Sequence, residues 1–188
     1  LHSVIGILAA VIERQRSGLG QYIDISMTDC VVGLSSMAAA ASLAGQEKQG
    51  PEQSYLNGAT FYDYYETQDG RYLSIGSLEP QFLHGLAQIL ELPIVAEKGA
   101  SLVTEDRQVV KQAIKDKIKT QDFATWNAIF QQQDVCVEPV LTLDEALDSQ
   151  LAKDRAWVVS VPLQEGSTKS ERQLACPIKF SRSKIRYE

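Results

Sequence analysis

Asn57 to Leu92, NGATFYDYYETQDGRYLSIGSLEPQFLHGLAQILEL, decides how this chain is read. Phe61 to Thr67 is rich in aromatic residues and suits a strand. Gln68-Asp69-Gly70-Arg71 follows as a turn, because Asp-Gly supplies the positive φ values of tight hairpins. Tyr72 to Gly76 is the return strand. Ser77-Leu78-Glu79-Pro80 then opens a helix, with Pro80 at the first helical position, where its missing N–H costs nothing. Phe82, Leu86, Ile89 and Leu90 recur at helical spacing and predict one apolar face. Glu79 therefore stands between a strand end and a helix start, where a carboxylate meets free N–H groups and the positive end of the helix dipole. Two readings of Glu79 stand at this point: a helix cap, or a carboxylate placed for chemistry.

Toward the N-terminus, Leu1 to Arg16 reads as a helix with Ile5, Leu8, Ala9 and Ile12 on its apolar face. Ser17-Gly18-Leu19-Gly20 stops it. Gln21 to Ile25 alternates as a short strand. Ser26, with Asp29 three residues on, caps a helix predicted to run to about Ala44, with Gly45 ending it. Helix, strand and helix in 45 residues predict part of an α/β layer. Residues 46–57 are polar, carry Gly50-Pro51, and read as a linker at a domain boundary.

Toward the C-terminus, Leu92-Pro93 ends the helix after Glu79. Thr104 is expected to cap a helix striped by Val110, Ile114 and Ile118. Asp122 caps another, with Phe123, Trp126 and Phe130 facing inward. Asp134 to Leu141 reads as extended, and Thr142 with Glu145 forms a capping box for a helix to about Leu151. Ala156 to Leu163 alternates as a strand, residues 164–172 form a polar turn, and Leu174 to Phe180 is extended again. Lys179, Arg182, Lys184 and Arg186 make the tail basic.

With 188 residues, 44% hydrophobic and 22% charged, the composition is that of an ordinary globular protein. A net charge of −6 gives no general reason to bind nucleic acid or an anionic membrane. No run of about 18 apolar residues is present. Cys30, Cys136 and Cys176 lack metal-ligand spacing and read as reduced packing thiols of a cytoplasmic protein. His84 falls off the apolar face of its helix and reads as solvated. The chain opens inside a helical pattern and stops without a closing element, so a piece of a longer protein is expected. No phosphate-binding glycine loop, Gly-x-Ser-x-Gly or His-Glu-x-x-His occurs.

Three segments carry a resemblance. Gly18 to Asp29, GLGQYIDISMTD, is similar to the G-x-G-Q-x-[IV]-D-[AV]-[SN]-M stretch of family III CoA-transferases (CaiB/BaiF), whose methionine falls at Met27. GATFYDYYETQDGRYLSIGSLEPQF, and DVCVEPVLTLDEAL from Asp134 to Leu147, resemble the alpha-methylacyl-CoA racemases of that family. The resemblance covers nearly the whole chain in the same order.

It implies an α/β fold: residues 1–45 as the end of a large Rossmann-like domain portion, 46–57 as linker, 58–180 as a small α+β domain, and 181–188 as the start of a return linker. It also implies two ring-like subunits interlocked as a homodimer. The implied activity is racemisation of 2-methyl-branched acyl-CoA thioesters by α-proton removal and return. Such chemistry needs acid/base groups on both faces of the α-carbon and stabilisation of an enolate oxygen. Glu79, in Leu78-Glu79-Pro80-Gln81-Phe82, matches one acid/base group of the racemases. Their histidine and aspartate are expected ahead of Leu1, and His2 does not match that histidine. Tyr62 matches a tyrosine near the racemase acyl site and reads equally as a packing residue of the hairpin. Thr60 stands where the racemases usually carry proline, which is expected to loosen the approach to the hairpin. No metal and no cofactor is implied beyond coenzyme A within the substrate thioester. Two alternatives remain open: a CoA-transferase working through an aspartyl nucleophile outside this chain, and a truncated, non-catalytic dimerisation piece.

Overall fold

The computed structural model describes residues 1–45, 50, 54–164 and 168–187. The chain divides into two compact units, Leu1–Pro51 and Glu52–Glu188.

The first unit holds three helices, α1 (His2–Ser17), α2 (Met27–Leu34) and α3 (Ser36–Leu43). Gly18 ends α1 in the left-handed conformation at φ 75°. Ile25 Cδ1 would lie 3.0 Å from a Cβ on Gly6, so the segment after α1 folds back onto that helix. That segment, Gln21 to Ile25, is not a strand, and among the described residues of the unit no strand offers it a ladder. Ser26 caps α2 by accepting the Asp29 N–H at 3.3 Å, as expected. The helix predicted to reach Ala44 is split at Ser35. The Ser35 hydroxyl bonds back to the Val31 carbonyl at 3.0 Å, and its N–H is shared between Val31 and Val32. Such back-bonding competes with the helical ladder and turns the chain. None of the residues of these helices is buried. Most of the expected linker, 46–49 and 51–53, lies outside the described residues.

The second unit begins with a hairpin, β1 (Asp63–Glu66) and β2 (Tyr72–Ile75). Gly70 takes φ 80° in the turn, and Thr67 N–H closes it on the Arg71 carbonyl at 2.7 Å. The hairpin runs into α4 (Pro80–Leu90), followed by α5 (Pro93–Lys98), α6 (Thr104–Ile118) and α7 (Phe123–Phe130). β3 (Val137–Pro139) then completes an antiparallel sheet in the order β1-β2-β3, with Ile75 opposite Val137 and Leu73 opposite Pro139. The chain continues through α8 (Leu143–Asp148) and α9 (Gln150–Asp154) to a separate antiparallel pair, β4 (Val158–Pro162) and β5 (Ser170–Leu174).

One core joins the sheet to α4–α7. Tyr65, Leu73, Ile75 and Val137 meet Leu83, Leu86, Leu90, Val110, Ile114, Ile118, Phe123, Trp126 and Phe130. The stripes of α6 and α7 are buried as their spacing predicts. The apolar face of α4 is turned slightly from the expected one. Leu83, Leu86, Ala87 and Leu90 are buried, while Phe82 and Ile89 are half-buried. Thr104 does not cap α6: it is already helical, behind Val103 in extended conformation, and makes no capping bond. Asp122 caps α7 through Thr125 N–H at 2.8 Å, and Thr142 with Glu145 makes a complete capping box. That helix closes at Asp148, where Ser149 caps α9 by accepting from Ala152 N–H. β5 was not expected. All five of its residues are exposed, and it is a strand only because β4 supplies the ladder. Among the described residues no helix is long and apolar enough to cross a membrane.

The hairpin turn is tied to distant elements by carboxylates. Asp69 accepts from the Thr67 hydroxyl at 2.5 Å and from the N–H that opens α7, Phe123, at 3.0 Å. Glu145 accepts a two-pronged contact from Arg71 at 2.8 and 2.9 Å, while the Arg71 guanidinium lies 3.7 Å over the Phe123 ring. The Thr67 hydroxyl and the Phe123 amide hold Asp69 below the usual carboxylate range, and the Thr142 amide and Arg71 do the same for Glu145. Asp122 is lowered by the hydroxyl and amide of Thr125, and Asp106 by Lys98 and Ser101. A carboxylate lowered in the fold favours folding above its unfolded pKa, and that contribution fades as pH falls through the folded value. The melting temperature is therefore expected to stay level from pH 7 to about 5 and to fall below about pH 4. Thermal melts across that range check this; an unchanged midpoint down to about pH 2.5 would contradict it.

Candidate active site

Glu79 occupies the junction between β2 and α4. Its backbone is extended (φ −69°, ψ 143°) and Pro80 takes the first helical position, so the helix starts where the sequence predicts. The carbonyl of Glu79 accepts from Leu83 N–H at 2.9 Å. Its carboxylate makes no capping bond, and among the described residues it has no hydrogen-bond or ion-pair partner. The side chain is exposed. A helix cap would engage an N–H of the first turn. Glu79 is thus a free carboxylate on a fixed backbone.

Tyr62 stands at the same end of the sheet, one residue before β1. Its ring lies across Gly76: a Cβ there would meet Tyr62 Cε2 at 3.0 Å and Cζ at 3.5 Å. A side chain at position 76 would push the ring away from the junction, so glycine permits this approach. Tyr62 is half-buried and Gly76 leads directly to Ser77 and Glu79, so the two sequence-derived candidates are brought to one corner.

Thr60 corrects an expectation. It is 2% exposed, its hydroxyl donates to the Tyr55 carbonyl at 2.9 Å, and it accepts from Tyr62 N–H at 3.1 Å. A proline could make neither bond, so threonine fastens the approach to the hairpin instead of loosening it. Thr60→Val keeps the shape but strands that carbonyl and N–H. It is expected to cost about 1–3 kcal/mol in urea unfolding. A loss of a few tenths would mean that water replaces the hydroxyl.

Two features of this corner escaped the sequence. Ser77 is fully buried and its hydroxyl donates to the Val135 carbonyl. Cys136, expected as a packing thiol, is exposed and takes a left-handed backbone at φ 51°. Its carbonyl accepts from Gly76 N–H at 2.9 Å. Local desolvation first, then the charges of Glu79, Asp134 and Glu138, push its thiol up. Cys30 and Cys176 are half-buried and free. His84 is exposed, as expected, with Nδ1 2.6 Å from the Pro80 carbonyl.

A cavity of about 630 Å³ lined by Leu147, Leu151, Trp157, Leu174 and Pro177 includes neither Glu79 nor Tyr62. Among the described residues no group of three or more His, Cys, Asp or Glu could hold a metal.

Comparison with known proteins bears on what such a corner serves. The chain is 38% identical over 161 residues to alpha-methylacyl-CoA racemase of Mus musculus, covering 85% of this chain and 42% of that protein. It is 32% identical over 168 residues to the Homo sapiens alpha-methylacyl-CoA racemase, covering 89% and 44%. The chain thus spans less than half the length of these relatives. In fold it is similar to the crystal structure of a CAIB/BAIF family protein from Brucella suis. The TM-score is 0.74 at 23% identity, covering 98% of this chain and 48% of that one. The sequence pattern of CoA-transferase family III matches residues 1–188 without interruption, and the chain belongs to that family.

Proposed function

We propose that Glu79 is one of two acid/base groups of a racemase acting on 2-methyl-branched acyl-CoA thioesters. The observation that carries this reading is the free, exposed carboxylate of Glu79 at the strand–helix junction, within a run that resembles the racemases. The α-hydrogen of a thioester is acidified by the adjacent carbonyl. Glu79 takes it from one face, leaving an enolate, and a second group delivers a proton to the opposite face. In this reading the second group lies outside this chain. The 188-residue chain by itself is therefore expected to turn over no thioester.

In this reading residues 1–45 belong to a large Rossmann-like domain, residues 58–180 form the small α+β domain, and two family-length subunits interlock as a homodimer. Tyr62, laid over Gly76, would border the acyl group. The binding partner is the acyl-CoA itself.

A second reading has an observation of its own: the pattern that spans the whole chain is that of CoA-transferases. An aspartyl nucleophile outside this chain would then carry the acyl group, and Glu79 would not be required. Incubating the family-length protein with a 2-methylacyl-CoA in D2O separates the two. Exchange of the α-proton, followed by NMR, supports racemisation. Transfer of CoA to an added carboxylate without exchange overturns it.

A further inference from the structure

We infer that Ser77 is a positioning residue: its buried hydroxyl, latched to the Val135 carbonyl, sets where the Glu79 carboxylate stands. This rests on the reading of Glu79 as an acid/base group. Among the described residues Glu79 has no side-chain partner to hold it, so there its place is set by the backbone that presents it. That backbone leaves β2 at Ile75 and must turn into α4 within four residues.

Three contacts fix the turn, all against residues 135 and 136. Gly76 N–H bonds the Cys136 carbonyl at 2.9 Å. The Ser77 hydroxyl bonds the Val135 carbonyl. Gly85 of α4 sits so close that a Cβ there would meet Val135 Cγ1 at 2.7 Å. Between them, Leu78 N–H closes a tight turn onto the Gly76 carbonyl at 2.8 Å. Of these, only the Ser77 bond depends on the chemistry of a side chain. It is also the last contact to residues 135 and 136 before Glu79. Alanine at 77 would leave the Val135 carbonyl buried without a donor, a state that structures avoid by moving. The movement would pass directly to Glu79, two residues on. Proton transfer tolerates little displacement, and a misplacement of about 1 Å can cost about a hundredfold in rate.

Cys136 provides a ruler for the carboxylate that does not depend on turnover. In the 188-residue chain with Cys30→Ala and Cys176→Ala, the rate of iodoacetamide alkylation at Cys136, which only the thiolate undergoes, is followed against pH by mass spectrometry and reports this thiol. Local desolvation first, then the charges of Glu79, Asp134 and Glu138, raise its pKa. Glu79→Gln is expected to lower its titration midpoint. In a Ser77→Ala background that drop should shrink by at least about half, and Ser77→Thr, which keeps a hydroxyl, should restore it. An equal drop in both backgrounds overturns the inference.

A second measurement needs no substitution at 77. The Gly76 amide should exchange with solvent as slowly as the amides of Leu73 and Ile75; exchange at the rate of an open loop overturns the latch. In the family-length protein, Ser77→Ala should lower kcat by about 10- to 100-fold with KM unchanged. A wild-type kcat there, beside an inactive Glu79→Gln, would also sink it. If Glu79→Gln instead exchanges the α-proton of both epimers equally, the reading of Glu79 fails, and the thiol titration still decides the latch.

Discussion

Glu79→Gln, placed in the family-length protein, is expected to slow racemisation of a 2-methylacyl-CoA by about 100- to 10,000-fold. Glutamine keeps the size and polarity of the side chain but cannot take up a proton. The two epimers should respond differently. The one whose α-hydrogen faces Glu79 loses its base, and its exchange into D2O collapses. The other is deprotonated by the second group, and its exchange falls less. Stability should change by no more than about 0.5 kcal/mol, because among the described residues the carboxylate has no partner to lose. Its favourable place at a helix N-terminus is worth about that much. NMR of each epimer in D2O, beside a thermal melt, separates chemistry from folding. Equal exchange of both epimers in the variant would remove Glu79 from the mechanism.

Trp126→Ala is expected to be the most damaging single change to the fold. Trp126 is 1% exposed, stacks on Phe130 at 5.6 Å between ring centres, and donates its indole N–H to the Ile118 carbonyl at 2.7 Å. Alanine removes the ring from the middle of the core and leaves the Ile118 carbonyl only the long 3.5 Å bond from Gln121 N–H. Emptying such a site costs about 3–5 kcal/mol. Part of the penalty belongs to the lost indole hydrogen bond, so the two contributions overlap. The melting temperature should fall by roughly 10–20 °C. Against a total stability of about 5–15 kcal/mol, that brings the chain close to unfolding at ordinary temperature. Trp126→Phe, which keeps a ring but not the N–H, should lose less than half as much. A loss under about 1 kcal/mol for the alanine variant would show that the core collapses into the space.

The parts legible in the sequence are those decided within a few residues. Asp69-Gly70 announced the hairpin, Pro80 the start of α4, Asp122 the cap of α7, and Thr142 with Glu145 the capping box. The 3–4 spacing of Val110, Ile114 and Ile118 gave the buried face of α6 because helical geometry alone sets it. Elements decided by a partner were not legible. β5, Ser-Glu-Arg-Gln-Leu, has no periodicity and exists only beside β4. The segment Gln21 to Ile25 alternates well and still has no strand to pair with. Ser35 splits a helix by bonding backwards, which its residue type permits but does not announce. At the candidate site, Glu79 and its junction were local and could be read. Ser77 could not, since nothing near it in sequence points to a carbonyl 58 residues away.

That distance has a consequence for how the corner comes into being. A chain grows from its N-terminus at about 5–20 residues per second, so Val135 emerges roughly 3–12 s after Ser77. A hairpin closes in microseconds. For nearly all of that interval β2 has a free edge, and Leu73 and Ile75, fully buried in the finished protein, lack β3 beside them. The amide of Gly76 waits for a carbonyl that has not yet been made. The nascent hairpin is thus exposed on the side where the Glu79 carboxylate will stand, and that corner takes its final form only once residues 135–137 have been made.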